Sequence, residues 1–183
     1  ADDLVEAIQA ASSADALASA AQRVQASAAA MVDRGESAGR INEWIAILND
    51  LIVLTAIDLA EAEFDLPLVR WCWLAFGSEG RLEQTLVTDQ DNGLIFATDK
   101  GEDADLLRAR FLPFAQHVNA LLDRCGFSLC KGGVMAGNPK WCLSLAEWRG
   151  CFAEWMRAAS ADDLLNSTIF FDFRPLAGDW ALP

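Results

Sequence analysis

The 183-residue chain carries 14 Lys and Arg against 27 Asp and Glu, a net charge of −13, and 53% of its residues are hydrophobic. That much apolar material fills a buried core and excludes a disordered acidic tail. A surface this acidic repels polyphosphate and anionic lipid, which argues against a sequence-independent nucleic-acid binder and against a membrane-surface protein.

The first third reads as helix. Leu17, Ala20, Ala21, Val24, Ala28 and Met31 recur at helical spacing, and Gly35 is a natural stop. Ile41, Trp44, Ile45, Leu48, Leu51 and Ile52 mark one face of a second long helix. The alanine-rich face of the first helix is thin enough for close packing, so the two are expected to form an antiparallel hairpin over residues 1–66. Its roles would be structural: a scaffold, a linker from an upstream module, or the surface of a homodimer. The apolar stretch 45–59 is interrupted by Asn49, Asp50 and Asp58, so it is not a membrane span. No signal peptide opens the sequence. A start at Ala1 and a stop soon after a strand read as an excised fragment of a longer chain.

The texture changes at Pro67, and residues 67–183 are expected to form an α+β domain. Residues 69–76 (VRWCWLAF) read as a buried strand that runs into Gly77-Ser78, and residues 92–98 (NGLIFAT) as a second strand. Leu106, Leu107, Phe111, Phe114, Val118, Leu121, Leu122 and Cys125 mark a helix ended by Gly126. Residues 127–130 are a third strand candidate, leading into a glycine-containing loop over 131–141. Ser144 and Glu147 form a capping box for a helix carrying Leu145, Trp148, Phe152 and Trp155. A short helix from Ser160 and Asp163 precedes a fourth strand, residues 168–173 (TIFFDF). The five cysteines make no CxxC pair, which points to reduced thiols in a cytoplasmic protein. The single histidine, His117, sits within a helical pattern, which argues against a zinc site.

Residues 76–96, FGSEGRLEQTLVTDQDNGLIF, carry the most chemistry. Residues two apart on a strand share a face, so Asp89 and Asp91 can point at one spot. Two carboxylates that close favour a cation between them, and Mg²⁺ prefers such hard oxygen ligands completed by substrate phosphates. The small Gly77-Ser78 turn lets backbone N–H groups approach phosphate oxygens. A solvated acidic turn between two strands would carry the same pair. Asp172 interrupts the apolar run 169–173, where an acid is costly unless a cation compensates it; a salt bridge to Arg174 at a strand end would also explain it. Of the three lysines, Lys131 and Lys140 flank the loop containing Gly132, Gly133 and Gly137. With Arg81 they are candidates for triphosphate contacts. Asn138, Trp141, Trp148 and Trp155 fit packing better than base stacking, and His117 fits a partly buried helix position better than a catalytic base.

Gly-Ser followed about eleven residues on by Asp-x-Asp and an apolar strand resembles the signature of the DNA-polymerase-β-like nucleotidyltransferase superfamily. The fuller string, together with KGGVMAGNPKW, FFDFRP and the helical run before Pro67, is similar to the nucleotidyltransferase family called domain of unknown function 294. That family is related to the protein-PII uridylyltransferases and glutamine-synthetase adenylyltransferases of bacteria. The resemblance implies an α+β fold, a small mixed sheet of nucleotidyltransferase type behind an N-terminal helical hairpin. It also implies Mg²⁺- or Mn²⁺-dependent transfer of a nucleoside monophosphate from a nucleoside triphosphate to a hydroxyl. Asp89, Asp91 and Asp172 would be the catalytic and metal-holding acids, with Asp172 placed by the family pattern Asp-x-Arg. Gly77, Ser78, Arg81, Lys131 and Arg174 would bind the nucleotide, and Glu83, six residues before Asp89, would orient Arg81 or a water. The acceptor would be a protein or a small molecule, served by flanking regulatory domains and a C-terminal substrate-binding domain. A non-catalytic nucleotide-binding regulatory module and a dimerising scaffold are the alternatives.

Overall fold

The computed structural model describes residues 2–82, 88–99, 101–157 and 172–183. The N-terminal third forms three helices, α1 (Asp2–Gln9), α2 (Ala14–Asp33) and α3 (Ala38–Glu61). Two acids in the first turn of α1 complement the positive end of its dipole. Ser13 caps α2 by accepting the Ala16 N–H at 3.2 Å. The expected face of α2 is buried, with Leu17, Ala20, Ala21, Val24 and Ala28 inside. Its small side chains let α3 approach closely, and the short connection over residues 34–37 makes the pair antiparallel.

Among the described residues, four strands form a mixed sheet in the order β5 (Cys142–Ser144), β3 (Asn92–Phe96), β1 (Trp71–Ala75), β6 (Arg174–Gly178). The β1–β3 and β1–β6 pairs are antiparallel, and β3–β5 is parallel. Between them come the single turn α4 (Gly77–Gly80), the long helix α5 (Ala104–Arg124) and α6 (Leu145–Arg157). β2 (Thr88–Asp89) and β4 (Phe127–Ser128) make a separate parallel pair. The fold is thus α+β with a small mixed sheet.

Side chains alternate across the sheet and separate two cores. Trp73, Leu94, Phe96 and Leu176 face α1, α2, α3 and α5, so the N-terminal helices and the sheet share one hydrophobic core. Cys72, Leu74, Phe76 and Ile95 face the other way, onto Trp148 of α6. Trp73, Phe96 and Phe111 are fully enclosed, each stabilising the fold by about 1.5–3 kcal/mol. Burial pushes the Cys72 and Cys142 thiols up to about 12 and Cys125 up to about 11, which keeps them unreactive core filler. All five cysteines are free thiols. No helix among the described residues is long and apolar enough to cross a membrane.

Several boundaries differ from the sequence reading. The third strand candidate contracts to Phe127–Ser128 and leaves the main sheet. β5 was not anticipated: it is three residues long and runs directly into α6, so the capping box masked it. That box is present, with Ser144 N–H donating to Glu147 Oε2 at 2.7 Å and Glu147 N–H donating to Ser144 Oγ at 3.3 Å. Most of the fourth expected strand, over 168–173, cannot be compared. Residues 168–171 lie outside the described residues, as does the helix expected from Ser160, while Asp172 and Phe173 precede a strand that begins at Arg174. Pro175 is tolerated there because β6 lies at the sheet edge, where one N–H has no partner strand.

Candidate active site

The register of the sheet builds the site. Ala75, the last residue of β1, lies opposite Asn92 in one neighbour and opposite Arg174 in the other. The chain leaving β1 through Phe76, Gly77 and Ser78 therefore meets the segments leading into β3 and β6 at one end of the sheet. Phe76 N–H donates to the Asp91 carbonyl at 2.9 Å. Gly77 has φ +55°, a left-handed conformation that favours glycine, and a Cβ there would stand 3.4 Å from Asp91 Oδ2. The Asp91 carboxylate thus lies against the Gly-Ser turn, as the motif suggested.

Alternation then presents the acids. Gln90 points inward and is 1% exposed. Its amide nitrogen donates to the carbonyls of Asn119 and Phe127, both at 2.9 Å, and its oxygen accepts from Asn119 at 2.9 Å. Asn119 also donates to Asn92 Oδ1 at 3.0 Å, and that oxygen accepts the Ala136 N–H at 2.8 Å. This buried amide network ties α5, the strand and the glycine loop together. With Gln90 anchored inward, Asp89 and Asp91 are turned outward, the first exposed and the second half-buried. Burial raises the Asp91 carboxyl above the usual carboxylate range; a hydrogen bond with the Cys130 thiol opposes the shift and the charge of Asp89 adds to it.

Glu79, in the middle of α4, is the main residue the sequence reading missed. It is 3% exposed. Burial pushes its carboxyl up to about 8, with Asp50 and Asp91 raising it further and Arg174 lowering it. Arg174 does not reach into open space: it makes a two-pronged pair with Asp50 of α3, at 3.0 and 2.9 Å, and donates to the Glu79 carbonyl at 3.1 Å. The pairing of Asp172 with Arg174 that one reading allowed is replaced by Asp172 with Arg81, at 2.9 Å, both about 40% exposed. Ser78 is half-buried, Lys131 and Lys140 are exposed, and Lys131 directly follows Cys130. Glu83 lies outside the described residues. His117 is a half-buried helix residue against the Phe64 ring, 3.4 Å from Glu63. Trp148 is core, its indole N–H donating to the Leu94 carbonyl at 3.2 Å.

Gly80 holds Asp172 in place. A Cβ on Gly80 would come within 2.0 Å of the Asp172 carbonyl oxygen and 3.0 Å of that of Ala75. Main-chain atoms cannot step aside as a flexible side chain would, so Gly80→Ala is expected to cost about 3 kcal/mol or more. Urea unfolding measures this; a midpoint equal to wild type would show that the close approach is not part of the native fold.

Paired carboxylates, one of them raised in proton affinity by burial and by its neighbour, are hard donors short of positive charge, which fits Mg²⁺ or Mn²⁺ better than a soft-ligand metal. Among the described residues no group of three or more His, Cys, Asp and Glu side chains could hold a metal ion, so Asp172 does not stand with Asp89 and Asp91 as a three-acid cluster.

No curated protein matches the chain. A model of the family described as "Putative nucleotidyltransferase DUF294" matches residues 22–162, which takes in the Gly-Ser turn, both acids and the glycine loop and stops before Asp172. The match covers most of the chain, which therefore belongs to the DUF294 family of nucleotidyltransferases.

Proposed function

We propose that this domain moves a nucleoside monophosphate from a nucleoside triphosphate to a hydroxyl on a protein or small-molecule acceptor, with release of pyrophosphate. The observation that carries the reading is the convergence of the Gly-Ser turn and the raised Asp91 carboxylate at one end of the sheet, within a chain of this family. Asp89 and Asp91 would hold Mg²⁺ or Mn²⁺, which when bound neutralises charge developing on the α-phosphate. Gly77 keeps the space beside Asp91 clear of side chains, and Ser78, Arg81 and Lys131 supply donors to the triphosphate. The acceptor oxygen forms a bond to the α-phosphorus as the bond to pyrophosphate breaks, and the hydroxyl proton passes to Asp172. That role requires Asp172 to exchange Arg81 for the substrate. Arg174, paired with Asp50 and donating to the Glu79 carbonyl, supports the turn from which the nucleotide would be held.

The net charge of −13 disfavours a nucleic-acid acceptor. Reduced thiols fit a cytoplasmic setting. Flanking regulatory and C-terminal substrate-binding domains, and dimerisation through the helical hairpin, belong to the same reading. A uridylyltransferase-like specificity is its finest form.

The Asp172–Arg81 pair favours a second reading, nucleotide binding without turnover. Thermal shift with each of the four triphosphates and Mg²⁺, followed by pyrophosphate release, separates the two. Stabilisation with release supports transfer, and stabilisation without release supports the binding module. No response to any triphosphate or to the metal would overturn both.

A further inference from the structure

An asparagine on the apolar face of a helix is unfavourable unless its amide is hydrogen-bonded, because a buried donor or acceptor left unpaired forfeits its bonds to water. Asn119 occupies such a place on α5, 5% exposed, with Ala115 and Leu122 buried one turn to either side. Both ends of its amide are used. Oδ1 accepts the Gly137 N–H at 2.8 Å, and Nδ2 donates to Gln90 Oε1 at 2.9 Å and to Asn92 Oδ1 at 3.0 Å.

Main-chain partners dictate which way each amide faces. Gln90 Nε2 must face the carbonyls of Asn119 and Phe127, Asn92 Oδ1 must face the Ala136 N–H, and Asn119 Oδ1 must face that of Gly137. Gln90 and Asn92 therefore both present oxygens to Asn119, and only an N–H donor at position 119 satisfies them.

This arrangement seats the two parts of the site against each other. Gln90 stands between Asp89 and Asp91, so holding its side chain inward sets the outward direction of both acids. Gln90 N–H donates to the Ser128 carbonyl at 2.8 Å and Asn92 N–H to that of Val134 at 3.1 Å, so the stretch that carries Lys131 closes onto the acid-bearing segment at both ends. Further on, the loop lies flush on α5. A Cβ on Gly137 would come within 2.7 Å of Asn119 Oδ1 and 2.9 Å of Gln116 Cγ, and Gln116 donates to the Gly137 carbonyl at 3.2 Å.

We propose that Asn119 is the positioning residue of the site, one buried amide that sets the acidic pair through Gln90 and the glycine loop through Gly137. The inference rests on Asp89 and Asp91 being the metal-holding pair. Asn119 acts through its neighbours rather than on the metal.

Asn119→Asp keeps the shape of the side chain and the acceptor for Gly137, but puts an oxygen where Gln90 and Asn92 present oxygens. Even when protonated, the carboxyl supplies one donor in place of two. Outer contacts that orient a metal-holding side chain are typically worth about 10–100-fold in metal affinity. Asn119→Asp is therefore expected to weaken, by about tenfold or more, the Mn²⁺ binding that Asp91→Asn abolishes, followed by electron paramagnetic resonance. Leu122→Ala separates this from general loosening: it opens a cavity in the same core and lowers the melting temperature, yet takes no polar group from the network. Its Mn²⁺ affinity should stay within about threefold of wild type. Gln90→Met removes the central amide at nearly constant side-chain length, and should lose affinity as Asn119→Asp does. Wild-type affinity in Asn119→Asp or, where that variant does not fold, in Gln90→Met would overturn the inference. So would a loss in Leu122→Ala as large as in the amide variants. Failure of the wild type to bind Mn²⁺ would instead overturn the functional reading on which the inference depends, so the wild-type titration tells the two failures apart.

Discussion

Replacing Asp91 by asparagine is expected to lower nucleotidyl transfer by about a thousandfold or more while leaving the metal-free protein no less stable. The two halves have different causes. Asn preserves the volume beside Gly77 and an oxygen to accept the Cys130 thiol, but it removes a negative charge from the pair proposed to hold the metal. Losing a metal ligand forfeits several kcal/mol of transition-state stabilisation, and a factor of a thousand corresponds to about 4 kcal/mol. Stability moves the other way. The native Asp91 carboxyl is raised by burial and by Asp89, so at neutral pH its ionised form is less favourable in the folded state than in the unfolded one. A neutral amide is spared that cost. Pyrophosphate release, and melting temperatures with and without millimolar Mg²⁺, test both halves, the metal-induced rise being smaller in the variant. Equal rises in the two proteins would mean that Asp89 and Asp91 form a solvated turn, and the transfer mechanism would fall with them.

The parts of this site that were legible in the sequence are those whose signal is local. Gly77, with a left-handed backbone, and the Asp-Gln-Asp alternation each dictate geometry within a few residues, and both stand as the pattern implied. The α2 face and the capping box at Ser144 and Glu147 were readable for the same reason. Pairings between distant segments were not. Asp50 announced itself only as a charge interrupting the apolar stretch 45–59, which was enough to exclude a membrane span but not to name its partner, 124 residues away. Glu79 looks like any loop acid until the register of β1 against β3 and β6 closes the space around it. Gln90 and Asn119 likewise read as ordinary polar residues, because a buried amide pair has no sequence period of its own. The strand Arg174–Gly178 was not marked because it includes a proline and is less apolar than the string 168–173 before it.

Glu79 also predicts how stability should depend on pH. Burial pushes its carboxyl up to about 8 in the folded protein against an ordinary value of 4.5. Between those values the native state holds a proton that the unfolded state has released. Stability therefore falls as pH rises through this window, and the favourable contribution, complete below pH 4.5, is gone once pH passes 8. The full difference is on the order of 3–5 kcal/mol. Glu79→Gln has no proton to lose, so its melting temperature relative to wild type should be nearly unchanged at pH 5. The difference should grow steadily to on the order of 10 °C in favour of the variant at pH 9, given that about 1 kcal/mol moves the midpoint of a chain this size by roughly 2–4 °C. Burial raises Asp91 in both proteins, so that part of its shift cancels from the comparison. The melts should be run in chelator, since a bound divalent cation would add its own pH dependence. A difference between the two proteins that stays constant from pH 5 to pH 9 would mean that Glu79 remains ionised in its buried site, held charged by Arg174, and the burial argument for it would fail.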